Sequence, residues 1–199
     1  MSGAEDKGVV LGSETLSWNA YELAKDLNDL GMLPELKSYL DDEVNQETRC
    51  YAYDILGFIG KNTGSQEVLN ILTNSIKRED NHDENLHRVL CSLHDTEMML
   101  EEGLGEVIFY AFDERELVRG AAIMLLSRYT VSLEKVKETL LEVIEFHYDD
   151  YDLKYAVQSL KAQFPKTYKE LVDKKKQDMI ENEGNGEAIE RIKAMIQIL

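Results

Sequence analysis

Glu84, His87, Cys91 and His94 stand at spacings of 3, 4 and 3 in "ENLHRVLCSLH", and carboxylate, imidazole and thiol are the groups that hold zinc. On a helix the four fall within an arc of roughly 80°. Two of them at i and i+4 could share one ion. His87 and His94, however, are separated by about 10 Å along the axis at 1.5 Å per residue, too far for one ion to bridge. Leu86, Leu90 and Leu93 form the apolar stripe of the same segment, so the histidines and the cysteine line its flank. The expectation is a packing or partner-facing flank with no metal and no cofactor.

"GFIGKNTG" (57–64) offers Gly60, Lys61 and Thr63 in the manner of a phosphate loop. The glycine that must stand five residues before the Gly-Lys pair is replaced by Ile55, and no strand pattern precedes it. It reads as a helix that ends in a glycine-rich turn. No G-x-S-x-G, H-E-x-x-H or paired-cysteine motif occurs, so no nucleophile is assembled with its base in a recognisable way, and the expectation is a non-enzyme. The remaining candidate is Arg119 in "DERELVRGAAIMLLSRYT", set between an acidic cluster and an apolar helix.

Arg119 acquires a context once the elements around it are laid out. The 199 residues are 43% hydrophobic, enough to bury a core, and only two prolines interrupt them. Cys50 and Cys91 are too few for a disulfide framework. Uninterrupted apolar runs reach only six residues, and the start lacks a basic-then-apolar leader, so a cytoplasmic protein with no membrane segment is expected.

Four segments repeat: "DEVNQETRCYAYDILGFIG", "DENLHRVLCSLHDT", "DERELVRGAAIMLLSRY" and "DYDLKYAVQSLKAQF". Anchored on Arg49, His87, Arg119 and Lys154, they are spaced by 38, 32 and 35 residues. Three residues after each anchor come Ala52, Leu90, Ala122 and Val157; six after come Ile55, Leu93, Leu125 and Leu160. Those offsets describe one closely packed helix face. An amphipathic stretch precedes each segment, so the unit is helix, acidic turn, helix.

A helix pair of this length, with Asp or Glu in the turn and "LVRGAAIMLL" opening the second helix, resembles the HEAT-like repeats of the armadillo type, over roughly residues 33–164. The resemblance implies an all-α fold, a right-handed α-α superhelix. The sequence then divides into a flexible segment at 1–13, the solenoid with an N-terminal capping helix at 14–164, and C-terminal capping helices at 165–199. The stripe Leu16, Ala20, Leu23, Leu27 and Leu30 is the expected capping face, with Gly31 ending that helix at positive φ. A basic residue recurring in register belongs to a ladder with turn carboxylates, which gives Arg119 a structural role.

Charge supplies the functional expectation. There are 22 basic against 39 acidic residues, a net of −17, and the whole excess lies in residues 1–164. Such a surface repels nucleic acid and attracts a basic protein. Turn carboxylates Glu79, Asp80, Asp83 and Glu84, then Asp113, Glu114 and Glu116, then Asp149, Asp150 and Asp152 exceed what helix dipoles need. They are expected to meet a protein partner with a basic surface, as an adaptor or as an immunity protein that neutralises a basic toxin. The resemblance carries an alternative, since some HEAT-like proteins are DNA glycosylases or chromophore lyases. A glycosylase would need a basic concave face.

Overall fold

The computed structural model describes residues 16–41, 44–146 and 150–181, and among these the fold is all α-helical with no strand. Ten α-helices follow in order: α1 (Leu16–Ala24), α2 (Leu33–Tyr39), α3 (Gln46–Thr63), α4 (Gln66–Arg78), α5 (Asp83–Asp95), α6 (Leu104–Tyr110), α7 (Glu116–Leu125), α8 (Leu133–Phe146), α9 (Asp150–Gln163) and α10 (Pro165–Glu181). Each repeated segment therefore supplies one packed pair: α2–α3, α4–α5, α6–α7 and α8–α9. The chain forms two compact units that divide between Gly103 and Leu104, with two pairs in each.

In the first unit the helix starts are set by side chains that satisfy orphan amides. Asn45 Oδ1 accepts from Thr48 N at 2.9 Å, and Ser65 Oγ accepts from Val68 N at 3.4 Å. Pro34 occupies the first turn of α2, where its missing N–H costs nothing. Gly64 ends α3 at φ 64°, in the left-handed region that favours glycine. The core is built from Leu33, Leu36, Tyr53, Leu56, Ile59, Leu72, Leu86, Leu90 and Leu93. The backbones of α3 and α5 approach closely because α3 carries glycine at the contact. A Cβ on Gly57 would lie 3.0 Å from Ser92 Cβ, and one on Gly60 would lie 2.8 Å from Thr96 Cγ2. The glycine-rich segment that resembled a phosphate loop is thus a packing surface.

Two expectations for this unit are corrected. Helix α1 stops at Ala24, and Gly31 sits in a 3-10 turn (Leu30–Met32) at negative φ, because Asp29 Oδ1 accepts its N–H at 2.8 Å and starts a new turn. The stripe through Leu23 and Leu30 is exposed, at 75% and 45%; Tyr21 makes the contact instead, packing edge-on against Phe58 with ring centres 5.4 Å apart. Ile55 is only half-buried, and Leu56 fills the core position beside it.

In the second unit Val107, Val118, Ala122, Leu125, Leu140, Ile144, Ala156, Val157 and Leu160 are buried together. Helices α7 and α9 run side by side in the same direction. Near their N-termini Arg119 Nε donates to Asp152 Oδ2 at 2.5 Å. At their C-terminal ends Gln163 Nε2 donates to the carbonyls of Leu126, Ser127 and Tyr129 at 3.3, 2.5 and 3.3 Å. One amide side chain thus reaches three carbonyls just beyond the end of α7, where the helix no longer supplies amides to all of them. Helix α10 begins at Pro165 and packs on α9; the second C-terminal capping helix expected beyond it lies outside the described residues.

Candidate functional site

The two arginine anchors are buried at 4% and 6% exposure and occupy equivalent places in the two units. Arg49 Nη1 donates to the carbonyl of Val44 at 2.7 Å, and its Nε lies 3.2 Å from Glu79 Oε1. Arg119 Nη1 donates to the carbonyls of Asp113 and Glu114 at 2.9 and 3.3 Å, while Nε reaches Asp152. In both cases the guanidinium ties off the turn before its own helix and pairs with a carboxylate about one repeat further on, 30 residues in one unit and 33 in the other. The ladder partner of Arg119 is therefore Asp152, and the preceding turn contributes backbone oxygens.

Around Glu79 the pairing extends into a polar cluster. Its carboxylate, fully buried, also accepts from Tyr53 Oη at 2.6 Å and Asn85 Nδ2 at 2.8 Å, and Asn85 Oδ1 accepts the Cys50 thiol at 2.8 Å. Burial and the adjacent Glu79 carboxylate raise the Tyr53 hydroxyl well above its ordinary value. Burial pushes the Cys50 thiol up to about 12, with Glu84 adding to the shift. These groups stay fixed in their neutral or paired forms, and their arrangement closes on itself. Arg119 and Arg49 hold helix pairs together and present no cation to a ligand.

The other two anchors behave differently. His87 is half-buried and Lys154 is exposed. Each belongs to the second helix pair of its unit, and among the described residues no further repeated pair follows in that unit to supply a carboxylate. His87 Nε2 instead lies 3.3 Å from Cys91 Sγ. Burial lowers the imidazole and Arg88 lowers it further; burial raises the Cys91 thiol to about 12 and Asp95 adds to that. Both are neutral at pH 7, so the pair is a dipolar contact and Cys91 is no thiolate nucleophile. His94 turns to Asp95, 3.4 Å away. Among the described residues no group of three or more His, Cys, Asp or Glu is placed to hold a metal ion.

The acidic turns separate into three kinds. Asp80, Asp83 and Glu84 are exposed around the start of α5, as are Glu114 and Glu116 at the start of α7. Asp113 is engaged: Arg115 donates to it from Nε and Nη2, both at 2.7 Å, and from its backbone N at 2.8 Å. That side-chain hydrogen bonding holds the Asp113 carboxyl below the usual range. Asp152 is corrected outright. It is fully buried as the counter-ion of Arg119, because an arginine taken out of water needs a charge beside it. Asp149 lies outside the described residues, as does the side chain of Asp150.

Glu79, expected to project with the other turn carboxylates, is instead fully buried as the counter-ion of Arg49, and Arg115 was not singled out from the sequence. An Asp and an Arg two residues apart, as in "DER", is a short-range signal that could have marked Arg115. A groove of about 270 Å³ in the first unit is lined by Gln66, Asn70 and Thr73 of α4 and by Met99, Glu101 and Glu102. It is lined by amides, one hydroxyl and two carboxylates, and among the described residues no hydrogen bond links the Thr73 hydroxyl to either carboxylate. No protein family, curated protein or solved structure gives a match to the chain.

Proposed function

We propose that this chain is a non-enzymatic protein-interaction module, a HEAT-like right-handed α-α superhelix with capping helices whose acidic turns hold a protein partner with a basic surface. A concrete form is a cytoplasmic immunity or inhibitor protein that neutralises a basic toxin; an adaptor uses the same chemistry. The observation that carries the reading is the division of charge. The arginine anchors Arg49 and Arg119 are consumed internally, by Glu79 and Asp152, whereas Asp80, Asp83, Glu84, Glu114 and Glu116 are exposed. Exposed carboxylates on a chain of net charge −17 speed the encounter with a cationic surface.

The test is to recover a partner from the native cell and measure association rates against Glu114→Lys/Glu116→Lys. The variant should associate more slowly, with a deficit that shrinks as salt rises, and should melt as the parent does. An unchanged association rate removes the acidic turns from the interface. Sub-micromolar affinity for duplex DNA at physiological salt would overturn the module in favour of a nucleic-acid enzyme, because this charge balance opposes phosphate.

A further inference from the structure

In the second unit the large apolar side chains left in water are not scattered. Phe109, Leu117, Phe146 and Tyr151 are 68%, 66%, 63% and 64% exposed, and each lies within two residues of a helix end. The Arg119–Asp152 pair sets the first turns of α7 and α9 side by side, which places Leu117 and Tyr151, the second residues of those helices, along the same rim. Phe109 and Phe146 lie at the C-terminal ends of α6 and α8, which pack against α7 and α9 and precede them in sequence by five and three residues. Among the described residues of the second unit, the other exposed large apolar residue, Leu133, begins α8 at the opposite end.

Interleaved with these four are the exposed carboxylates Glu114, Glu116 and Glu145. Of the cations nearby, Arg115 is held by Asp113, and Lys154 stands one turn into α9. Aromatic and aliphatic side chains inside a charged rim are the composition of an interaction surface rather than of plain solvated turns.

We infer that this edge docks a cationic amphipathic segment of a protein partner, whose apolar residues cover Phe109, Leu117, Phe146 and Tyr151 while its lysines or arginines reach Glu114, Glu116 and Glu145. The assignment rests on the interaction module proposed above and gives it a site. Charge complementarity selects the occupant. A second copy of this chain would bring its own carboxylates against these three, and like charges placed together cost affinity.

The probe is a fluorescein-labelled peptide of leucine and lysine at helical spacing, titrated by anisotropy into the full chain beside a lysine-only peptide of equal charge. Phe109→Ser/Leu117→Ser and Phe146→Ser/Tyr151→Ser should each weaken the amphipathic peptide by about tenfold or more. They should leave the lysine-only peptide unchanged. Leu23→Ser, at a position 75% exposed in the first unit, should leave both unchanged. Circular dichroism checks that each variant keeps its helix content. Wild-type affinity in both edge variants would overturn the apolar edge; salt-sensitive binding of the lysine-only peptide would then still support the acidic turns. Failure of both peptides to bind the parent protein would overturn the two together. A concentration-dependent dimer in sedimentation, abolished by the same substitutions, would hand the edge to a second copy and overturn the assignment.

Discussion

Removing the Arg119 side chain strips the fully buried Asp152 carboxylate of its counter-ion. Arg119→Ala should therefore cost about 3–5 kcal/mol in denaturant unfolding, the range for breaking a buried pair by deleting one member. Asp152→Ala should cost a similar amount, and the double variant markedly less than the two added, because the stranded charge disappears with its partner. Full additivity would mean that the two groups do not depend on each other. At Cys91 the thiol pushed up to about 12 makes thiolate scarce. Alkylation of the native protein by iodoacetamide at about pH 8 should run about two orders of magnitude or more below that of an unperturbed thiol. A rate near the free-thiol value would show that Cys91 is not held as described. The recurring basic slot was legible at Arg49 and Arg119 from register alone. Their counter-ions were not, since a carboxylate 30 or 33 residues away is one of many until the helices pack.

At the level of helices, glycines separate into those that permit contact and those that only loosen the chain. A Cβ at Gly60 meets Thr96 Cγ2 at 2.8 Å and Val68 Cγ1 at 3.1 Å, so Gly60→Ala should destabilise by about 1–3 kcal/mol through forced separation of α3 from its neighbours. Gly120, in α7, offers the opposite case. Its Cβ would meet nothing nearer than 3.9 Å, and Gly120→Ala should be neutral or stabilise by up to about 1 kcal/mol, since alanine restricts the unfolded chain and favours helix. Paired thermal melts decide both, and equal effects at the two sites would refute the α3–α5 contact. All eight hairpin helices were legible from apolar spacing, because offsets of three and six repeat wherever a helix buries one face. What misled was the N-terminal stripe. Leu23 and Leu30 have the right spacing but are not covered by any of the described residues, and Asp29 breaks the helix between them by accepting the Gly31 amide.

For the chain as a whole, 39 acidic residues against 22 basic ones repel one another in the compact state. Raising sodium chloride from about 20 to 300 mM should raise the melting temperature, since the screening length falls below the spacing of surface charges. A fall would mean that attractive surface pairs such as Lys37–Glu67 outweigh the repulsion. The charge excess was plain in composition; the division at Gly103 was not. Spacings of 38, 32 and 35 residues carry no mark of it, and no proline or low-complexity linker lies there.

The buried arginine pairs also bear on how a chain of this kind can change length over evolutionary time. Within each unit, the first hairpin contributes the cation and the second the anion. Deleting or duplicating one hairpin would leave either a guanidinium or a carboxylate inside without its complement, at a cost comparable to the whole stability of a small domain. Duplicating two hairpins together would carry cation and anion as a matched set. The inheritable step is thus about 70 residues rather than 35, two repeats of this length class, and lineages of such a chain should gain or lose helices in fours.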